Sequence, residues 1–183
     1  SSDCWKARGS DSSYRELAEM ASGAERLQSF IDPDDARFAG RCNMPLVIQD
    51  YCRETGQVVP EGAAEILRLV TDSLAMKIRF VLERLEEVIG YRIEVLHIIG
   101  GGGQNDQLNK SIASSINRPV VVGPYEATAA GNVMMQKVAL DGLRSLGEGR
   151  DLIRESFQTR HFEPAHPDDW DTAYVRFRNL MNL

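Results

Sequence analysis

The sequence lacks any long apolar run, and this absence excludes one class of protein. A membrane-spanning helix needs about 20 consecutive apolar residues, and no stretch of the 183-residue chain approaches that length. The opening segment SSDCWKARGSDSSY has neither the charged nor the apolar region of a signal peptide. The sequence therefore predicts a cytoplasmic protein with no membrane partner.

Basic stretches are absent as well. The chain carries 21 lysines and arginines against 27 aspartates and glutamates, which gives a net charge of −6. Proteins that bind nucleic acid through its phosphate backbone typically concentrate Lys and Arg on one face. Because no segment does so here, nucleic acid is not a predicted partner.

Cysteine and histidine are scarce. The three cysteines stand at positions 4, 42 and 52, an odd number with no C-x-x-C spacing and no neighbouring histidine. This arrangement is typical of reduced structural thiols. The acidic turn DPDD does not continue into a calcium-binding loop pattern. No metal site is therefore predicted.

The composition is that of a chain with a substantial core, since 43 % of its residues are hydrophobic. Residues 1–60 are polar and mixed, and they predict a peripheral segment with helices over 14–21 and 43–56, the second capped by Asn43. Residues 61–183 predict the core. The chain begins with serine rather than methionine, which fits either processing of the N-terminus or a piece of a longer protein.

Strand and helix patterns alternate in the second half of the chain. Apolar residues recur at steps of three and four from residue 63 to residue 89, which predicts one long amphipathic helix. A strand, RIEVLHII, follows, then a helix, QNDQLNKSIASSI, a second strand, RPVVV, and a helix, EATAAGNVMMQKVALDGL. This order predicts an α/β fold, completed by a C-terminal helix with an aromatic core stripe. The predicted core positions of the long helix are Ile66, Val70, Leu74, Ile78, Val81, Leu85 and Val88.

Four successive glycines, at positions 100–103, lie between the first strand and the next helix. Glycine costs backbone entropy and contributes no side-chain packing, so four in a row require a reason. The first turn of a helix presents unpartnered N–H groups and a partial positive charge, which favour a phosphate. Without Cβ atoms a nucleotide can approach the backbone, and Gln104 and Asn105 offer amide groups beside it. We therefore predict nucleotide contact at this turn.

A purely structural interpretation also remains open, in which the glycines only make a tight strand-to-helix connection. Two standard nucleotide motifs fail here. The Rossmann pattern G-x-G-x-x-G has Asn105 in place of its last glycine, and the P-loop pattern has Gln104 and Asn109 at its glycine positions. His97 within the strand and Glu126 at the start of a later helix predict structural rather than catalytic roles.

The segment LHIIGGGGQNDQLNKSIASSINRPVVVGPYEATAAGNVMMQ resembles the C-terminal domain of the FGGY carbohydrate kinases. The shared pattern is a strand, a glycine run, QN and a leucine-containing helix, then a short strand and EATAxGN. Within the family the chain is most similar to the rhamnulokinases, through FIDPDDARF, NMPLVIQDYCRETGQ and EILRLVTDSLAMKIRFVLERLEE. The resemblance covers nearly the whole chain.

This resemblance implies that residues 1–183 form a partial C-terminal lobe of the actin-like, ribonuclease H-like ATPase fold. In the intact two-lobed kinase, ATP with Mg²⁺ would phosphorylate a sugar hydroxyl, converting L-rhamnulose to L-rhamnulose 1-phosphate. Carried over to this chain, the nucleotide contacts fall on five residues, with the amides beside the base and ribose. They are Gly101, Gly102, Gly103, Gln104 and Asn105.

The family's sugar pocket, magnesium carboxylate and catalytic aspartate belong to its N-terminal lobe. The resemblance therefore implies no catalytic residue and no metal ligand in this chain, and an inactive isolated lobe. It also implies close helix packing at Gly131, and self-association through the face that the missing lobe would cover. Two other functions stay open: a non-catalytic interaction or regulatory module of the same shape, and a dinucleotide-dependent oxidoreductase, which the failed Rossmann fingerprint disfavours.

Overall fold

The computed structural model describes residues 20–40, 43–124, 126–140, 142 and 145–181 of the chain. Most of the helix predicted over 14–21 lies outside the described residues, as do the cysteines at positions 4 and 42. Within the described part, every helix is too short or too polar to span a lipid bilayer.

The first long element, α1, is a helix over Met44–Glu54. Pro45 lies in its first turn, where a missing N–H costs nothing, and Ile48, Tyr51 and Cys52 form its buried face as predicted. The predicted cap is wrong, because the side chain of Asn43 makes no capping hydrogen bond.

The thiol of Cys52 is completely buried on α1. Burial raises its pKa to about 11, because the apolar surroundings disfavour the thiolate. We expect iodoacetamide at pH 8 to leave Cys52 unmodified in the folded chain and to alkylate it after denaturation, as read by peptide mass mapping. Alkylation of Cys52 at equal rates in both states would contradict the buried assignment.

The long helix α2 spans Ala63–Ile89, the predicted bounds, and ends at Gly90, whose φ of 77° suits glycine. The predicted buried face is only partly correct. The helix packs on the helix of residues 106–116, called α3 below. The buried side of α2 is not the predicted one, and it includes the polar residues Arg68, Asp72 and Ser73. Several predicted core positions are exposed instead, and we call them the α2 stripe: Leu74, Val81, Leu85 and Val88.

A three-stranded sheet forms the centre, in the order β1-β2-β3. Strand β1, Leu96–Ile98, pairs in parallel with β2, Val120–Val122, and helix α3, Asp106–Ile116, connects them. Strand β3, Arg160–Phe162, pairs antiparallel with β2 and was not predicted. The sheet brings the last part of the chain next to the glycine turn.

Three further helices follow β2. They are α4, Ala127–Ala139, α5, Leu146–Ser156, which was not predicted, and α6, Pro167–Leu180. Helix α6 starts after His166. The sequence offers Asp168 or Asp169 as its cap, and that prediction is wrong because both lie in the first turn. Its aromatic stripe is buried as predicted, and Phe177 meets Phe30 edge-on with ring centroids 5.9 Å apart.

The large core cluster joins α2, α3, the sheet and α6, and it also includes Leu27 and Phe30 from before α1. A smaller cluster lies around α1 and the start of α2, with Ile48 and Ile66 among its members. The division of the chain at residue 60 stays a prediction.

Candidate nucleotide-binding site

The glycine turn leaves the end of β1 and enters α3. Gly100 adopts a φ of 78°, a conformation that side chains other than glycine rarely adopt, and its N–H donates to the carbonyl of Pro124 at 3.3 Å. Gly101–Gln104 then form one 3-10 turn. The first glycine is therefore required by backbone geometry.

Gly103 is required by packing. It is buried, and a Cβ at this position would lie 2.6 Å from Cγ1 of Val122 on β2. Its carbonyl accepts hydrogen bonds from Nδ2 of Asn109, at 2.8 Å, and from the guanidinium of Arg160. Its N–H donates to the carbonyl of Gly100 at 3.2 Å. Both the packing and the hydrogen bonds of Gly103 therefore fix its position.

Gly102 has no such explanation. A Cβ there would meet no atom within 4 Å, and its φ lies outside the range that disfavours side chains. Gly101 and Gly102 are both exposed. Within the described residues, neither of their N–H groups donates a hydrogen bond to the protein. The turn thus presents two adjacent free donors on an open surface.

The two amide residues of the predicted site differ in their roles. Gln104 is exposed, and its side chain has no hydrogen-bond partner in the described part of the chain. The side-chain oxygen of Asn105 accepts from the N–H of Leu108 at 3.0 Å and caps α3. All five predicted residues thus lie in one turn, but the side chain of Asn105 is used to cap α3.

Two residues that the sequence did not indicate hold this turn. Asn109 is completely buried, with its Oδ1 lacking a partner. In the sequence, Asn109 falls in line with the apolar face of α3, although the only motif that includes its position is the failed P-loop pattern. Arg160 pairs with Asp106 in the first turn of α3. It lies in a three-residue strand, and no sequence pattern linked it to the turn.

The remaining candidates belong to elements outside the turn. His97 is exposed in β1, an edge strand among the described residues, and Glu126 is exposed before α4. The close packing implied at Gly131 is not found, since a Cβ there would meet no atom within 4 Å. Among the described residues, no cluster of three or more His, Cys, Asp or Glu side chains could hold a metal ion.

Curated relatives share much of this sequence. The rhamnulokinase of Bacteroides thetaiotaomicron is 44 % identical over 171 residues, which cover 93 % of this chain and 35 % of that protein. The rhamnulokinase of Bacillus subtilis is 39 % identical over 158 residues, 86 % of this chain and 33 % of that protein. The chain thus spans about a third of the length of these relatives.

Solved structures share the fold. The xylulose kinase of Rhodospirillum rubrum superposes with a TM-score of 0.63 at 14 % identity, over 92 % of this chain and 33 % of that one. The glycerol kinase of Plasmodium falciparum, solved with ADP, gives 0.61 at 15 % identity, over 93 % and 33 %. The predicted actin-like α/β lobe is confirmed. Since the family model described as "FGGY family of carbohydrate kinases, C-terminal domain" also matches residues 1–140, the chain belongs to that family.

Proposed function

We propose that the glycine turn binds ATP, and that the chain is the nucleotide-binding lobe of an ATP-dependent sugar kinase. The observation that carries this proposal is Gly102. Neither strain nor packing requires glycine at this position, while the absent side chain leaves the N–H groups of Gly101 and Gly102 open. A ligand that lies against the backbone explains both features.

The five residues have different roles in the proposed site. Gly101 and Gly102 donate to the phosphates, and the side chain of Gln104 is available to the adenosine part. Gly103 contributes by holding the turn in shape against β2. Asn105 contributes by starting α3, whose first N–H groups favour an anion.

The electrostatics of the turn suit a phosphate once Arg160 is included. Asp106 places a carboxylate in the first turn of α3, where it would repel a polyphosphate. The guanidinium of Arg160 pairs with that carboxylate and offsets the repulsion. Mg²⁺ would come with the nucleotide and be held by its phosphates and by groups outside the described residues.

The intact protein would transfer the terminal phosphoryl group of ATP to a sugar hydroxyl. The curated relatives are named rhamnulokinase, so we propose L-rhamnulose as the substrate and L-rhamnulose 1-phosphate as the product. A cytoplasmic location, where ATP is available, belongs to the same proposal. The lobe alone would be inactive, since phosphoryl transfer depends on groups placed around the whole phosphate chain.

A chimera tests the nucleotide role directly. This chain would replace the matched 171 residues of the B. thetaiotaomicron relative, and we expect the folded chimera to bind ATP and to phosphorylate sugar. A chimera that melts cooperatively but binds no ATP in calorimetry would contradict the proposal and favour a non-catalytic interaction module. Sugar identity is tested separately on the intact protein, with L-rhamnulose compared with D-xylulose and glycerol.

The α2 stripe carries a proposal about partners. Its four apolar side chains lie along one side of the helix, and Val88 is 84 % exposed. We propose that the rest of the intact kinase covers this stripe, and that the isolated lobe pairs through it with a second copy.

We expect the isolated chain to sediment as a dimer or larger, and the double change Leu85→Glu with Val88→Glu to make it a monomer. Buried carboxylates would be strongly unfavourable at such an interface. Val175→Glu, at an exposed position on α6, is the matched control and should leave the mass unchanged. A wild-type chain that is monomeric at every concentration would contradict the proposal.

A further inference from the structure

A second cleft lies along the side of α3, away from the glycine turn. It has a volume of about 260 Å³ and runs between α3, the start of α6 and the segment before Leu27. Its charged and donor-bearing lining includes Arg26, Arg68, Lys110, Ser111 and Trp170. We call it the α3 cleft. None of the glycine-turn residues lines it.

The α3 cleft is cationic in a protein of net charge −6. Three of its lining residues are basic and none is acidic. Arg26 forms an exposed ion pair with Asp169, with 2.7 Å between a guanidinium nitrogen and Oδ2. Lys110 is exposed and has no ion-pair partner among the described residues. Lys110 therefore supplies a positive charge that no carboxylate of the described residues compensates, and this charge favours an anion in the cleft.

Arg68 supplies the strongest observation. The residue is only 7 % exposed, and its Nε donates to Oδ2 of Asp72 at 3.0 Å. Its two terminal nitrogens have no acceptor in the described part of the chain. Within the described residues these nitrogens are not among the buried polar atoms that lack a partner, so they are accessible and can donate to a ligand. An acceptor has room in the cleft that Arg68 lines.

Asp72 is already engaged by three donors. One of its oxygens already accepts from the N–H of Leu27, at 2.9 Å, and from Arg68 Nε, and the other accepts from the hydroxyl of Ser111, at 3.3 Å. Trp170 adds a further donor, because its indole N–H has no acceptor among the described residues either. The cleft thus offers several donors and no free carboxylate.

We propose that the α3 cleft binds a phosphate group, held by the terminal nitrogens of Arg68 with Lys110 and the Trp170 N–H. A tetrahedral oxyanion accepts from several directions at once, and guanidinium groups match its geometry. The volume admits inorganic phosphate or the phosphoryl end of a small metabolite, and not a whole nucleotide. The site is independent of the proposed nucleotide turn.

Trp170 provides the readout. Trp5 and Trp170 are the two tryptophans of the chain, so Trp5→Phe leaves one emitter, in the cleft wall. Inorganic phosphate is titrated against that emission, with sodium chloride at matched ionic strength as control. We expect a saturable change with phosphate alone. An equal response to chloride, or no saturation in the millimolar range, would overturn the proposal.

Two variants locate the binding. Lys110→Met removes one exposed charge of the cleft and should weaken phosphate binding at least about tenfold, the loss expected for a charge-assisted contact. Lys137→Met, an exposed lysine of α4, is the matched control and should bind normally. Unchanged binding in Lys110→Met would place the phosphate elsewhere and overturn the proposal.

Two further experiments identify the natural ligand and distinguish the α3 cleft from the nucleotide site. A sugar 1-phosphate that binds more tightly than inorganic phosphate would identify the phosphoryl end of a metabolite, and the reverse order would identify the free ion. Gly102→Val should leave phosphate binding intact, because Gly102 does not line the cleft. Loss of phosphate binding in that variant would assign the ion to the glycine turn and overturn the proposal.

Discussion

Gly102→Val in the chimera is expected to weaken ATP binding at least about tenfold, equivalent to about 1.4 kcal/mol. The position is open in the structure, with no atom within 4 Å of a Cβ, so the new side chain does not disturb the fold. It would fill the space in which the nucleotide approaches the N–H groups of Gly101 and Gly102. Calorimetric titration with ATP measures the affinity, and thermal unfolding confirms that the chimera remains folded.

The matched control is Gly103→Val, one residue further along. Here the side chain would overlap Val122, and we expect a loss of about 1–3 kcal/mol in the free energy of unfolding, as for other overpacked sites. The two adjacent substitutions thus separate ligand contact from packing. A Gly102→Val chimera with wild-type ATP affinity would refute the site, whatever the control shows.

The second large effect is expected from Asp72→Ala. Asp72 is completely buried, and its carboxylate joins three parts of the fold: the N–H of Leu27, the guanidinium of Arg68 and the hydroxyl of Ser111. Burial raises the pKa of this carboxyl, since desolvation outweighs the attraction of Arg68. Removing it leaves a buried cation unpaired, which costs about 3–5 kcal/mol.

For a chain of this size, that loss corresponds to a fall of about 10 °C in the unfolding temperature. Differential scanning calorimetry on the isolated chain measures it. Asp151→Ala serves as the control, because Asp151 forms an exposed ion pair with Arg154 and such pairs contribute about 0–1 kcal/mol. If both variants lowered the unfolding temperature by the same small amount, the proposed contribution of Asp72 to stability would be wrong.

The sequence predicted those features that depend on neighbours along the chain. The bounds of α2 are one example, since helical periodicity runs up to a glycine that ends it. The strand, glycine turn and helix around residue 100 are another, because the residues concerned are consecutive. The confirmed family resemblance rests on the same local signals.

Features that depend on distant partners were missed or misassigned. Val81 and Val88 fit the helical pattern as well as the residues that are buried do. Which side of α2 is covered depends on the positions of α3 and of the segment that carries Leu27 and Phe30. Strand β3 has two exposed residues out of three, so it lacks the alternation that predicts a strand. Its Arg160 meets the glycine turn through a sequence separation of 57 residues.

That separation has a consequence for how the turn can vary. The match to the family model covers residues 1–140, yet one of the two side chains that donate to the carbonyl of Gly103 is that of Arg160. A change in β3 can therefore shift or loosen the turn while every residue facing a nucleotide stays the same. Substitutions in β3 could thus alter nucleotide affinity indirectly, by changing how firmly Arg160 holds the carbonyl of Gly103.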